Sequence, residues 1–129
     1  MLEDNNGKPI TTHRGGSVRG VSEPEIQRML DFLFGAVRAI CADREGTQFA
    51  ARDFLGGANY FWQGTPMYRL YEKYIDEGYS QDAAIKEAGK TAGHLLKRVL
   101  IEVDTNRTYV LGDAGLANGY TWKGDGPRH

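Results

Sequence analysis

The sequence predicts an all-α fold: a compact bundle of about four helices with a flexible N-terminal arm and a short C-terminal β-hairpin or extended tail. The prediction rests on apolar residues that recur with a 3.6-residue period over long segments, and on helix-capping residues at the start of these segments. Short polar connections between the segments favour a bundle. With 129 residues, the chain is long enough for one domain with its own core. We therefore expect a flexible arm at 1–21, a single helical domain at 22–123 and a flexible tail at 124–129.

Helices are predicted at residues 22–45, 47–56, 65–77 and 80–104. The first starts with a capping box, Ser22 to Glu25, and the last with Ser80 as its N-cap. The apolar pattern of the last helix continues through Gly89 without a change of phase. This continuity favours one helix over the alternative, a helix-turn-helix with its turn at Gly89.

The two ends of the chain carry weaker patterns. Residues 1–21 are polar and rich in glycine, which predicts a flexible arm, and their positive charges would suit phosphate or an acidic partner. Near the C-terminus, residues 107–111 and 119–122 alternate between apolar and polar side chains. A glycine-rich connection joins them, so a hairpin is expected there.

Composition excludes several classes of protein. The net charge of −1 gives no overall signal for nucleic acid or an anionic membrane, and no apolar run reaches the length of a membrane span. The single cysteine, Cys41, excludes an intramolecular disulfide and lies on the apolar face of the first helix, which predicts a small buried side chain. The histidines have no metal-ligand spacing. We expect a cytoplasmic protein with no metal, no cofactor and no membrane contact.

The most informative segment of the chain is aromatic. Eight of the fourteen aromatic residues lie between Phe54 and Tyr79, and the centre of this segment, 56–66, also contains three glycines. Such a segment is too aromatic for a solvated linker and too rich in glycine for a good helix. Three interpretations remain open: an anchor in the core, the wall of a small-molecule pocket, or a contact surface.

The sequence does not define a biochemical function. No catalytic constellation is evident and no catalytic residue is assigned, so the preferred hypothesis is a non-enzymatic interaction module. Its partner is another protein or a second copy of the chain, as in a homodimer. The predicted contact residues are Asn59, Tyr60, Phe61, Trp62, Gln63, Arg69 and Tyr71.

Two alternatives compete with this hypothesis. The first is a nucleic-acid-binding regulator, less favoured, that uses a positive helix face; the residues of this face are Lys86, Lys90, Lys97 and Arg98, with His94 beside them. The second is a ligand-binding protein or small enzyme with a pocket roofed by Tyr60, Phe61 and Trp62.

Overall fold

Five strands and three α-helices are the main elements of the described part of the chain, residues 1–54, 62–114 and 117–125 of a computed structural model. The strands are β1 (Leu2–Glu3), β2 (Pro9–Ile10), β3 (Gln48–Phe49), β4 (Arg107–Ala114) and β5 (Ala117–Asp125). The helices are α1 (Glu23–Cys41), α2 (Tyr68–Asp76) and α3 (Gln81–Arg98).

The strands form one mixed sheet with the order β2-β1-β4-β5-β3. Strand β1 runs parallel to β4, and the other neighbouring pairs are antiparallel. The register places Leu2 beside Tyr109 and Tyr109 opposite Trp122. Paired residues share one face of a sheet, and these three side chains are buried in the same core cluster as the apolar sides of α1 and α3. Helices α1 and α3 therefore cover one face of the sheet.

Helix α1 begins as the sequence predicts. The Glu25 N–H donates to Ser22 Oγ at 3.3 Å and the Ser22 N–H donates to Glu25 Oε1 at 3.0 Å, which completes the capping box. The helix ends at Cys41 rather than residue 45, because Ala42 adopts a φ of +48° and leaves the helical region. Cys41 is buried, as predicted.

Helix α3 is continuous, so the helix-turn-helix alternative is wrong. It runs through Gly89 to Arg98, and a π-helical turn, Val99–Val103, extends it almost to the predicted end at residue 104. Ala84, Ala88 and Ala92 are buried along α3, and α2 packs against this helix. The two helices are also joined by a 2.8 Å hydrogen bond between the Tyr74 hydroxyl and Thr91 Oγ1.

The predicted helix at 47–56 is wrong where the structure describes it. Residues Gln48–Phe49 form β3, and Ala51–Phe54 form a single 3₁₀ turn. Phe49 pairs with Tyr120 of β5, and its ring lies 5.8 Å from that of Tyr109 and 5.9 Å from that of Tyr120. These contacts with distant residues outweigh the local preference for a helix.

The predicted all-α helical bundle is also wrong as a fold class, because the chain forms a five-stranded mixed sheet beside the helices. The expected C-terminal hairpin is confirmed as β4 and β5, but it lies at the centre of the sheet instead of capping a bundle. The arm expected to be flexible supplies β1 and β2, and Leu2 is 1 % exposed. Strands of two residues show no alternating pattern, so the sequence gives no sign of them. In the predicted tail, Gly124 and Asp125 end β5, and residues 126–129 lie outside the described residues.

Candidate functional site

The residues predicted from the aromatic segment lie in different environments. Trp62 is 3 % exposed and belongs to the hydrophobic core, whereas Gln63 is exposed. Asn59, Tyr60 and Phe61 lie outside the described residues. Trp62 Nε1 is buried and has no acceptor in the described part of the chain. Because its indole is in the core, Trp62 offers little surface to a partner.

Arg69 connects two helices. Its Nε donates to Glu25 Oε2 at 3.0 Å and its Nη2 donates to the Gly20 carbonyl at 3.0 Å. Both acceptors lie near the start of α1, so Arg69 holds α2 against that end of α1. Tyr71, by contrast, lies half-buried on the outer side of α2, with its ring centroid 5.6 Å from that of Tyr68.

The outer side of α2 and the turn after it carry an aromatic stripe that we call the tyrosine face, formed by Tyr68, Tyr71, Glu72, Ile75 and Tyr79. Steps of three and four residues place Tyr68, Tyr71, Glu72 and Ile75 on one side of α2, while Leu70 and Lys73 are buried on the opposite side. Tyr79 follows the end of the helix, and its ring centroid lies 5.3 Å from that of Tyr74. Ile75 and Tyr79 are 37 % and 43 % exposed, two of the three large hydrophobic side chains exposed within the described ranges. The stripe therefore presents apolar and aromatic area to the surface.

The charge exposed around the tyrosine face is acidic. Glu72 is exposed, and the Asp76 side chain is 75 % exposed, with its Oδ2 4.0 Å from Arg69 Nη1. Lys73 lies beneath the face, where its Nζ is 3.0 Å from both carboxylate oxygens of Glu77 and 4.2 Å from the centre of the Tyr74 ring. A lysine that is buried and paired in this way adds little positive charge to the surface.

The predicted positive face of α3 is only partly available. Lys86 and Lys90 are exposed, and Lys90 Nζ lies 3.4 Å from a Glu87 carboxylate oxygen. His94 and Lys97 are half-buried. Burial is the main cause of a lowered pKa for His94, and the positive charges of Arg14 and Lys97 lower it further. The imidazole is therefore neutral at pH 7, and Arg14 joins this surface from the N-terminal arm.

The N-terminal arm lies against α3, and Arg98 of α3 forms the contact. The Arg98 Nη1 donates to the Gly15 carbonyl at 2.9 Å and its Nε donates to Glu102 Oε2 at 3.0 Å. The Gly15 N–H donates to His13 Nδ1 at 3.0 Å, and His13 Nε2 lies 2.7 Å from Glu102 Oε1. The hydrogen bond with His13 is the main cause of the lowered pKa of Glu102. Arg98, predicted to bind nucleic acid, is thus occupied within the chain.

A buried polar cluster was not predicted from the sequence. The Asp104 carboxylate accepts hydrogen bonds from Arg38 Nε at 3.1 Å, Arg38 Nη2 at 2.6 Å and the Tyr109 hydroxyl at 2.6 Å. Burial is the main cause of the raised pKa of Tyr109, and its bond to Asp104 adds to it. The Asp-Thr-Asn sequence at 104–106 indicates only a turn. Its pairing with Arg38 cannot be recognised from the sequence, because the two residues are 66 positions apart.

Next to this cluster, the Arg107 guanidinium carbon lies 3.9 Å from the centre of the Trp122 ring. Cys41 is buried nearby, within electrostatic range of Arg107, and burial raises the pKa of its thiol. A raised pKa keeps the thiol protonated and disfavours nucleophilic chemistry.

Comparisons with protein-family models, with curated proteins and with solved structures give no match for this chain. Within residues 1–54, 62–114 and 117–125, no group of three or more His, Cys, Asp or Glu side chains is arranged to hold a metal ion. Over the same ranges, no helix combines the length and apolar character needed to cross a membrane.

Proposed function

We propose that this chain is a non-enzymatic protein-interaction module whose tyrosine face binds a lysine- or arginine-bearing segment of a protein partner. The observation that carries the proposal is the exposure of Ile75, on the side of α2 opposite its buried face, and of Tyr79, just after the turn that ends the helix. Tyrosine suits such a surface because it combines apolar area with a hydroxyl group and loses little conformational entropy on binding.

The charge around the tyrosine face favours a positively charged binding partner. Glu72 and Asp76 give the face an acidic margin, and tyrosine rings attract ammonium and guanidinium groups. The chain itself shows the same pairing, with Lys73 Nζ over the Tyr74 ring and bound to Glu77. A partner residue that binds the tyrosine face would repeat this arrangement at the surface.

Two binding measurements test the proposal. Fluorescence anisotropy measures the binding of a labelled peptide rich in arginine and leucine. A peptide with glutamate in place of each arginine is the negative control. Sedimentation velocity over a range of protein concentrations detects binding to the lysines of a second copy. The double substitution Ile75→Ser with Tyr79→Ser should weaken whichever association is observed by at least about tenfold, since central contact residues contribute roughly 2 kcal/mol or more.

Val103→Ser is the matched control, because Val103 is the third exposed large hydrophobic residue of the described ranges and lies away from α2, at the end of the π-helical turn. Both variants should remain folded, since the replaced side chains are exposed. Glu72→Lys should also abolish binding of the basic peptide. The proposal fails if neither association occurs, or if the double variant and Val103→Ser bind equally well.

A nucleic acid is the second candidate partner, and the position of Arg14 favours it. Arg14 lies close enough to lower the pKa of His94 and so joins Lys86, Lys90 and Lys97 on the outer side of α3. Binding at this surface should weaken as salt rises, and Lys86→Glu with Lys97→Glu should abolish it while leaving the tyrosine face intact. No mobility shift with DNA or RNA at low salt would remove this candidate.

The pocket interpretation has less support, because Trp62 is in the core and the other two roof residues lie outside the described part of the chain. We also propose a cytoplasmic location, since the one cysteine is a buried free thiol and suits a reducing compartment.

A further inference from the structure

The Arg107 side chain has buried donors that lack acceptors. It is 11 % exposed and lies over the Trp122 ring, which is itself 4 % exposed. Arg107 Nε, Arg107 Nη1 and Trp122 Nε1 are buried, and none of them has a hydrogen-bond acceptor among the described residues. Most buried donors in folded proteins are paired, because an unpaired one is destabilising. Three such donors on two stacked side chains require an explanation.

An irregularity in the sheet creates this arrangement. Tyr109 pairs with Trp122, but Arg107 pairs with Asp125, so β5 has one residue more than β4 between the two pairs. The extra residue is accommodated by Gly124, whose φ of +112° is unfavourable for residues with a side chain. Such bulges re-aim side chains and are common beside binding sites. Here the bulge lies next to the stacked Arg107 and Trp122.

The acidic groups nearby do not supply the missing hydrogen-bond acceptors. Asp104 is occupied by Arg38 and Tyr109, so its carboxylate already has three hydrogen bonds. Asp125 Oδ1 lies 3.6 Å from Arg107 Nε, too far for a hydrogen bond, and its side chain is 79 % exposed. The Arg107 guanidinium also lies close enough to the Tyr109 hydroxyl to lower the pKa of Tyr109, but its Nε and Nη1 have no acceptor among the described residues.

We propose that Arg107 and Trp122 form a binding site for an oxyanion, a carboxylate or phosphate group. The guanidinium and the indole N–H donate hydrogen bonds to it, and the Trp122 ring holds the guanidinium in place. Guanidinium groups match the planar geometry of carboxylates and bind phosphates equally well. The Asp125 carboxylate, 3.6 Å from Arg107 Nε and largely exposed, competes with the oxyanion for the guanidinium. This site is separate from the tyrosine face and does not depend on its function.

NMR titration of the full chain tests this site directly. The indole N–H signal of Trp122 and the Nε–H signal of Arg107 are followed as inorganic phosphate, sodium acetate or sodium chloride is added at constant ionic strength. Trp122→Phe and Trp62→Phe assign the two indole signals. We expect saturable shifts of the Trp122 and Arg107 signals with phosphate, acetate or both, and the comparison shows which oxyanion is preferred. Shifts that are linear and equal to those caused by chloride would overturn the proposal.

Substitutions separate binding from a structural role. Arg107→Lys keeps the charge but loses the planar donor set, and it should weaken binding by about tenfold, as expected for one charge-assisted hydrogen bond. Trp62→Phe is the matched control, because Trp62 is equally buried and also has an unpaired Nε1, and binding should not change. Asp125→Asn removes the competing carboxylate from an exposed position and should tighten binding. Equal or weaker binding in Asp125→Asn would overturn the proposal even if Arg107→Lys fails to fold.

Discussion

The Tyr109 hydroxyl donates a 2.6 Å hydrogen bond to Asp104 Oδ2 in the interior of the protein. The Asp104 side chain is completely buried, and Arg38 reaches the same carboxylate from the last turn of α1. Tyr109 lies in β4 and Asp104 directly follows the π-helical turn after α3. This one carboxylate therefore links two helices to the central hairpin of the sheet.

Replacing Asp104 with asparagine should lower the free energy of unfolding by about 2–3 kcal/mol. The amide cannot accept two hydrogen bonds from Arg38 and a third from Tyr109, and hydrogen bonds to a charged group contribute roughly 1.5–3 kcal/mol. The loss should be smaller than the roughly 3–5 kcal/mol for breaking a fully buried ion pair, because the Arg38 side chain is 35 % exposed and can be solvated. Urea unfolding followed by circular dichroism measures the difference.

Asp31→Asn is the control for this change. Asp31 is exposed and accepts a single 3.0 Å hydrogen bond from Gln27 on the surface of α1. Its replacement should alter stability by no more than about 0.5 kcal/mol. Equal losses in the two variants would mean that Asp104 contributes nothing beyond an ordinary surface carboxylate.

Stability should fall at alkaline pH because two tyrosines are buried in the sheet. Burial raises the pKa of Tyr120 to about 12, and burial together with the bond to Asp104 raises the pKa of Tyr109 further. Above about pH 10 the unfolded chain loses these protons while the folded chain keeps them. The stabilisation is therefore complete below pH 10 and declines toward pH 12, by about 1.4 kcal/mol per pH unit for each tyrosine.

Urea unfolding at several pH values between neutral and alkaline tests the sign and the slope. Tyr120→Phe removes one titrating group and should make the decline shallower, although the variant retains most of the buried ring area. A stability that stays constant above pH 10 in the unmodified chain would show that the phenols titrate equally in both states.

The helices that the sequence predicts correctly are those whose information is local. Ser22 and Glu25 form the predicted capping box, and Ser80 accepts the Ala83 N–H at 3.3 Å as the predicted N-cap of α3. Capping and 3.6-residue periodicity depend on residues within a few turns of one another, so one sequence is enough to recognise them. The confirmed hairpin of β4 and β5 is local in the same sense.

What the sequence does not reveal depends on distant contacts. Leu2 is buried because it pairs with Tyr109, and Phe49 is a strand residue because it pairs with Tyr120. Each of these pairs is separated by more than seventy residues in the chain. The candidate functional residues show the same contrast between local and distant information. Tyr71 lies on an outer helix face that periodicity could suggest, whereas the stacking of Arg107 on Trp122 exists only in the folded hairpin.

Gly15→Ala should displace the N-terminal arm from α3. A Cβ at this position would lie 2.6 Å from the His94 carbonyl oxygen and 3.1 Å from its carbon, both backbone atoms that cannot yield independently. Overpacking of this kind costs roughly 1–3 kcal/mol. The bonds from Arg98 to Gly15 and from His13 to Glu102 should weaken as a result, and faster amide hydrogen exchange of the Gly15 region would show it.

Gly16→Ala is a close control for the arm. A Cβ there has no heavy atom within 4 Å, and Gly16 does not adopt a positive φ. The substitution should leave exchange in the arm and global stability nearly unchanged. If Gly15→Ala and Gly16→Ala behave alike, close contact with His94 does not hold the arm in place.

Trp62→Ala should destabilise the fold by about 3–5 kcal/mol, the usual cost of removing a large aromatic side chain from a core. Trp62 is 3 % exposed, and its carbonyl accepts a 2.8 Å hydrogen bond from Thr65 Oγ1 just before α2. Gln63→Ala, at the exposed neighbouring position, should change stability by less than about 0.5 kcal/mol. Urea unfolding of both variants measures the contrast. A folded Trp62→Ala variant of normal stability that no longer binds a partner would instead make Trp62 a contact residue, and the functional surface would then extend from the tyrosine face back into the aromatic segment.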